Sequence, residues 1–188
     1  MKAVMVDVPE HLLAQRRSAG ADRWDEMWEG VLHTVPPPSG RHQRFGMRLA
    51  HLLDALARER GLVGSYETGL FRPGTDDDYR VPDQVYARPE LLTERGVDGP
   101  AELVVEIRSP GDETYDKLAF YAAVGVPEVL VAHPGEGRVE LFVLRGDRHV
   151  LVQPDEKGEI GVGALGARLS AVPGPSLRVS WSAGSSEV

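Results

Sequence analysis

The chain has 188 residues, of which 41% are hydrophobic and 27% are charged, a composition typical of one globular domain with its own core. It carries a net charge of −8 and has no cysteine, which excludes disulfides, thiolate metal sites and a cysteine nucleophile. No apolar run reaches the roughly 18 residues that a membrane-spanning helix needs. Residues 1–17 lack a basic stretch followed by an apolar one, so we expect no signal peptide, no membrane contact and a cytoplasmic location.

The local patterns switch between helical and strand periodicity along the chain, with turn residues between them. In chain order they predict helix at 9–18, strand at 29–35, helix from 39 to 61, strands at 62–71, 81–87 and 103–107, helix at 114–124, and strands at 129–132, 138–144, 149–153 and 177–181. This order predicts an α/β or α+β domain in which helices flank a mixed β-sheet. We expect one domain over residues 1–181 and a flexible tail over residues 182–188, which are mostly small and polar.

The helix over 39–61 combines an apolar stripe with a concentration of arginines. The stripe has the spacing i, i+4, i+7, i+8 and i+11 and comprises Phe45, Leu49, Leu52, Leu53 and Leu56. From Arg41 to Arg60 there are five arginines and two acids, a local balance of +3. The net charge of −8 counts against tight nucleic-acid binding, whereas a local basic face would favour it. The other interpretation of these arginines is a solvated helix face.

Glu106 is the acid that the sequence places in the most apolar surroundings. It interrupts the run from Leu103 to Ile107, which is typical of a buried central strand. An ionised carboxylate in such surroundings needs a charge partner or a metal ion. Two other interpretations stay open: Glu106 lies at the strand's end in water, or it pairs with a cation on another element. Arg108, two residues later, is expected on the same face of the strand.

Asp83 and Lys117 are candidates to meet Glu106. Pro82 suits the start of a strand, so Asp83 is expected at the rim of the sheet. Two carboxylates that converge from neighbouring strands form a hard-oxygen site suited to Mg²⁺. Lys117 belongs to a helical stripe whose other members are core-type residues: Phe120, Tyr121 and Val124. The lysine must therefore extend to water or meet carboxylates inside the protein.

Other catalytic patterns have little support in the sequence. The six histidines lack the spacing of a zinc site, and there is no phosphate-binding loop. A Ser-His-Asp triad stays open, although no Gly-x-Ser-x-Gly turn supports it.

Several of these motifs occur together in one known family. The matching stretches are Pro36-Pro37-Pro38 with His42-Gln43, Arg80-Val81-Pro82-Asp83, the run from Leu103 to Pro110, Asp116-Lys117-Leu118, and Tyr121 with Gly125-Val126-Pro127-Glu128. On these residues the chain resembles the Uma-two family, which is described as restriction-endonuclease-like and is also classed as a domain of unknown function. The resemblance runs from about residue 25 to residue 181 and extends to the PD-(D/E)xK nuclease superfamily.

The resemblance implies a nuclease-like core and a site for Mg²⁺ or Mn²⁺. It implies that Asp83, Glu106 and the Ile107 carbonyl bind the ion, which would polarise a phosphoryl oxygen and lower the pKa of a water molecule. It further implies that Lys117 orients this water or stabilises the transition state. The expected reaction is phosphodiester hydrolysis of nucleic acid, with DNA as the expected substrate.

Three positions qualify the resemblance. Glu26 matches a family acid ahead of the first strand and is a further candidate site residue. Arg108 occupies the place where the wider superfamily has its lysine, two residues after the glutamate, so it would support the site or compete for Glu106. Val31 stands where the family often has a second acid.

Two other classes of function stay open. One is a binding or regulatory protein that kept the nuclease fold and lost activity. The other is an oligomeric, partner-binding protein, because the apolar hairpin over 139–152 could pair edge to edge in a homodimer. The alternative for this hairpin is that its apolar side chains cover the core.

Overall fold

Three α-helices and three β-sheets form the part of the chain that the computed structural model describes, residues 3–6, 8–174 and 176–188. The helices are α1 Glu10–Ser18, α2 Gly40–Glu59 and α3 Leu118–Val124, and Pro89–Leu91 forms a short 3₁₀ turn. The strands are β1 Ala3–Met5, β2 Glu26–Trp28, β3 Val31–Thr34, β4 Val63–Tyr66, β5 Leu70–Phe71, β6 Tyr79–Arg80, β7 Gln84–Ala87, β8 Leu92–Thr93, β9 Gly96–Asp98, β10 Leu103–Ile107, β11 Glu128–His133, β12 Arg138–Arg145, β13 Arg148–Leu151, β14 Glu159–Val162, β15 Ala167–Val172, β16 Ser176–Trp181 and β17 Gly184–Glu187.

The central sheet has six strands in the order β13-β12-β11-β10-β7-β4. Its β10 and β11 run parallel, whereas every other described neighbour pair in this sheet is antiparallel. The predicted α+β class with a mixed sheet is therefore confirmed. All five residues of β10 are buried, as expected for a central strand that is covered on both faces.

The two faces of β10 lead to different layers. Leu103, Val105 and Ile107 belong to the core that α2 and the four-stranded sheet β14-β15-β16-β17 build. Val104 points the other way, into the core that contains Phe120 of α3 and residues of the seven-stranded sheet β1-β3-β2-β6-β5-β9-β8. Since side chains alternate along a strand, Glu106 lies on the α3 side with Val104.

Helix α2 is confirmed within two residues at each end. Ser39 caps it by accepting the backbone N–H of His42 at 3.2 Å, and its apolar stripe packs into the core. The helix crosses the end of β10 closely at Gly46. A Cβ there would lie 2.9 Å from Ile107 Cδ1 and 2.8 Å from Tyr66 Oη, so the glycine permits the close approach. This approach brings the first turn of α2 to the end of β10.

Three predicted elements are divided or shortened. The strand expected over 62–71 is two strands, β4 in the six-stranded sheet and β5 in the seven-stranded sheet. The chain leaves the six-stranded sheet at Glu67, which adopts a left-handed φ of 48°. The helix expected over 114–124 begins only at Leu118, and the strand expected over 81–87 begins at Gln84.

The C-terminal region forms a sheet that sequence patterns missed almost entirely. Strands β14, β15 and β17 were not expected, and residues 182–188, expected to be a flexible tail, instead turn back to form β17 beside β16. Small polar residues have weak strand propensity, but the open edge of β16 offers hydrogen-bond partners. The backbones of Val188 and Leu177 exchange two hydrogen bonds, and Val188 is 3% exposed.

Deletion of residues 184–188 is expected to lower the free energy of unfolding by about 2 kcal/mol, because it exposes apolar surface of the core and removes strand hydrogen bonds. Urea denaturation of the full chain and the deletion variant measures this difference. Ser185→Ala, at an exposed position of the same strand, is the control and should leave stability nearly unchanged. A deletion without effect would show that the segment is a loose tail.

Candidate active site

A cavity of about 390 Å³ opens where the end of β10, the residue before β7 and the first turn of α2 meet. Its lining is rich in acids and includes Glu26, Glu67, Asp83, Glu106, Asp112 and Glu113, together with Lys117 and His42. Trp24 and Pro36-Pro37-Pro38 supply apolar surface on the lining. The cavity therefore combines carboxylates from several segments with one lysine.

Asp83 and Glu106 lie side by side in this cavity. Asp83 Oδ2 accepts the backbone N–H of Ile107, the residue next to Glu106, at 2.6 Å. Glu106 is 4% exposed, which rules out the interpretation that it sits at the strand's end in water. Their placement follows from the antiparallel pairing of β7 with β10, because the residue before β7 reaches the last residues of β10.

Lys117 meets carboxylates inside the protein and does not extend to water. Its Nζ lies 2.7 Å from Glu26 Oε1 and 3.2 Å from Glu106 Oε1. The lysine immediately precedes α3, and its side chain is 12% exposed. One ammonium group therefore links the seven-stranded sheet to the six-stranded sheet.

Glu26 is held by the backbone and by a ring. Its Oε1 accepts the N–H of Val81 at 2.9 Å, and its Oε2 accepts the indole N–H of Trp28 at 2.8 Å. With both oxygens engaged, Glu26 is a rigid anchor for the lysine. The structure thus brings four of the predicted residues together: Asp83, Glu106, Lys117 and Glu26.

Arg108 lies apart from this group. Its Nη1 lies 2.7 Å from Asp112 Oδ1, and its guanidinium packs 4.7 Å from the centre of the Tyr115 ring. The expectation that Arg108 shares a face with Glu106 assumed a continuing strand, but β10 ends at Ile107. Ile107 lines the cavity beside both acids, and the role of its carbonyl as a ligand stays a prediction.

Burial dominates the electrostatics of the site. It raises the pKa of Glu106 to about 7, with Asp83 and Glu26 acting in the same direction and Lys117 against it. Tyr121 also opposes the rise by donating its hydroxyl to Glu106 Oε1 at 2.5 Å. Burial alone would lower the pKa of Lys117, but Glu106 and Glu26 outweigh it and raise that pKa. Three clustered carboxylates thus share one ammonium group.

The donor set fits a hard divalent cation. Glu106 Oε2 makes no hydrogen bond to the described part of the chain, and a cation would offset the excess negative charge. Among the described residues, no three histidine, aspartate or glutamate side chains converge closely enough to hold a metal ion.

His42 and Ser109 form a hydrogen-bonded chain with Asp83 that the sequence motifs did not predict. Ser109 Oγ lies 3.1 Å from His42 Nδ1, and His42 Nε2 lies 2.7 Å from Asp83 Oδ1. Burial lowers the pKa of His42, but the bond to Asp83 outweighs it, and the net effect is a raised pKa. His42 was recognised only as part of a family motif, because the bond joins residues 41 positions apart.

The hydrogen-bonded residues Ser109, His42 and Asp83 have the order of a Ser-His-Asp triad, but the serine lacks the free backbone N–H that such triads use. The backbone N–H of a catalytic serine commonly stabilises the oxyanion. The N–H of Ser109 instead donates to Asp112 Oδ2 at 2.5 Å. We therefore interpret Ser109 and His42 as supports that orient Asp83.

Comparison with known proteins supports the resemblance seen in the motifs. Residues 10–170 match the profile of the Uma2 family, described as "Putative restriction endonuclease". A solved structure titled as a "putative nuclease belonging to DUF820" from Anabaena variabilis is similar, with a TM-score of 0.60 and 17% identity. The match covers 75% of this chain and 82% of that chain, and at this identity it shows a shared fold alone. No curated protein matches the chain.

In the described part of the chain, no helix has the length and apolar character required to cross a membrane.

Lys117→Met is expected to lower the free energy of unfolding by about 3–5 kcal/mol at pH 8, because it leaves buried carboxylates without their cation. Without the lysine, the pKa of Glu106 in the folded protein rises further above its usual value of 4.5. The folded state then binds more protons than the unfolded state, so the loss should shrink as the pH falls from 8 to 5.

Denaturation of Lys117→Met at both pH values measures this effect, with Lys157→Met at an exposed turn as the control. An equal loss at pH 8 and pH 5 would contradict the ion pairs described here.

Proposed function

Because this chain belongs to the Uma2 family, we propose that it is a metal-dependent nuclease that hydrolyses phosphodiester bonds of DNA. The observation that carries this proposal is the convergence of Asp83, Glu106 and Lys117 on one cavity. The three side chains come from separate segments, and burying them together without a ligand leaves uncompensated negative charge. A binding site for a divalent cation accounts for that arrangement.

Asp83 and Glu106 would hold Mg²⁺ or Mn²⁺, with the Ile107 carbonyl as a third ligand. When bound, such an ion supplies positive charge to a phosphoryl oxygen and acidifies water. Asp83 is kept in place by the Ile107 N–H and by His42, so it needs little reorganisation to act as a ligand. Glu106 would use Oε2, the oxygen that Tyr121 and Lys117 leave free.

Lys117 would act on the attacking water and on the charge that develops in the transition state. An ammonium group has three N–H donors, and Glu26 and Glu106 engage two of them. The third can orient a water molecule or stabilise a phosphoryl oxygen. Glu26 would serve as the anchor that fixes the direction of this donor.

A protein that binds nucleic acid without cleaving it is the second candidate. Arg108 occupies the place of the superfamily lysine but pairs with Asp112, and Lys117 is already engaged by two carboxylates. These pairings favour a site in which fewer positive charges are available to act on a phosphoryl group. Metal binding distinguishes the candidates, since an inactive site has no need to retain its ion.

Asp83→Asn and Glu106→Gln are each expected to reduce DNA cleavage at least about 100-fold, because each removes a charged ligand worth several kcal/mol in the transition state. Cleavage of supercoiled, linear and single-stranded DNA is measured with Mg²⁺ or Mn²⁺. Asp147→Asn, in the exposed turn between β12 and β13, is the control of equal charge change.

Calorimetric titration with Mn²⁺ accompanies these assays. Metal binding that both variants lose, together with cleavage by the unaltered chain, supports the nuclease. Cleavage that survives either substitution would exclude these ligands, and absence of both metal binding and cleavage would favour the inactive protein.

We also propose that the chain forms a homodimer through β13. This strand is an edge of the six-stranded sheet, and Val150 and Leu151 on it are each 42% exposed. Exposed apolar side chains on an open edge favour pairing with a second strand. Light scattering should give a dimer mass for the unaltered chain and a monomer mass for Val150→Lys; a monomer in both cases would contradict the proposal.

A further inference from the structure

The arginines of this protein divide into a paired majority and an unpaired minority. Of 18 arginines in the sequence, 12 form an ion pair with a carboxylate, as expected in a chain with 29 acids. The arginines without such a pair in the described part of the chain are Arg41, Arg44, Arg48, Arg60, Arg145 and Arg148. The unpaired guanidinium groups are therefore concentrated on α2, just after it, and at the turn between β12 and β13.

Arg41, Arg44 and Arg48, here called the arginine stripe, lie along one exposed face of α2. Their spacing of three and four residues places them in a row on the helix surface. No acid occurs between Glu29 and Asp54, so no carboxylate of this helix face neutralises the row. The arginine stripe is thus a local positive surface on a protein whose net charge is −8.

Helix stability does not explain this placement. The N-terminus of a helix carries partial positive charge, and acids there are stabilising whereas cations are not. The first turn of α2 contains no acid and includes Arg41. A cation in this unfavourable position is consistent with a role in binding an anion outside the helix.

The arginine stripe begins at the rim of the cavity. Ser39 and His42, at the start of the same helix, line the cavity. Arg41 Nη2 donates to the carbonyl of Pro134 at 3.3 Å, which leaves its remaining donors free. Arg44 Nη1 folds back toward Gly40, 3.4 Å from where a Cβ on that glycine would be. Arg48 is about 10 Å further along the helix axis than Arg41.

The cavity itself cannot attract a polyanion. Its acids outnumber its single lysine, and that lysine is already engaged by Glu26 and Glu106. Cations that hold a phosphate backbone must therefore lie outside the cavity but near its opening. The arginine stripe meets both conditions, and the other unpaired pair, Arg145 and Arg148, lies at the opposite end of the central strands.

We propose that the arginine stripe binds the phosphodiester backbone of DNA and directs the strand into the cavity. Guanidinium groups match phosphate oxygens with two parallel hydrogen bonds. A row about 10 Å long corresponds to roughly three phosphates of one strand at about 3.4 Å of rise each. The stripe offers little to a membrane, because Met47 is the one large apolar side chain exposed between Arg41 and Arg48. The second part of this inference, that the bound strand is directed into the cavity, rests on the proposed nuclease function.

The test compares two double variants with the same change of charge. Arg44→Ala/Arg48→Ala removes two cations of the arginine stripe, and Arg145→Ala/Lys157→Ala removes two exposed cations elsewhere that form no ion pair within the described part of the chain. Binding of a fluorescent DNA duplex is followed by anisotropy in EDTA, so that no cleavage occurs. The stripe variant should bind at least about 10-fold more weakly and lower the slope of log K against log salt by about 2, whereas the control should change less than about 2-fold.

The outcomes separate this inference from the proposed function. The inference would be overturned if both variants bound DNA equally weakly, or if the unaltered chain did not bind DNA. It would also be overturned if the stripe bound an RNA duplex or phosphatidylserine vesicles but not DNA. Stripe-dependent DNA binding without cleavage in Mn²⁺ would uphold it and refute the nuclease. Cleavage that is undiminished in the stripe variant would refute the stripe alone. Circular dichroism confirms that both variants are folded.

Discussion

The ammonium group of Lys117 is the contact on which the site depends. Buried carboxylates are costly unless a cation lies beside them, and Glu26 and Glu106 are both buried within reach of Lys117. The two acids belong to different sheets, so the lysine holds the seven-stranded sheet against the six-stranded one at the cavity. The hydroxyl of Tyr121 donates a hydrogen bond to Glu106, and this bond connects α3 to the same group of side chains.

The same arrangement leaves the site short of positive charge. Asp83 adds a third carboxylate, and its hydrogen bonds to His42 and to the Ile107 N–H fix its position without neutralising it fully. An acidic cavity suits a divalent cation and repels a phosphate chain. This conflict is resolved if cations outside the cavity bind the chain and an ion inside it neutralises the scissile group. The unpaired arginines of α2 are placed for the first task.

Regular patterns in the sequence predicted the elements that carry the site. The apolar run around Glu106 predicted β10 to the residue, and the stripe from Phe45 to Leu56 predicted α2. In the C-terminal sheet, strand β17 was missed because Gly184–Glu187 is short and polar and forms a strand only through its pairing with β16. The expected helix start at Thr114 was too early because the segment before Leu118 turns to bring Lys117 to the carboxylates.

The sequence by itself determined which residues carry charge into an apolar environment: Glu106 within a buried strand and Lys117 within a core-type stripe. It also identified Asp83 as an acid at the rim of the sheet, because proline restricts where a strand begins. Only the tertiary structure decided the partners. Lys117 pairs with Glu26 from another sheet, His42 reaches Asp83 across the close approach at Gly46, and Arg108 turns away to Asp112. These contacts join residues far apart in the chain, and their distances depend on how the sheets and helices pack, which local periodicity does not encode.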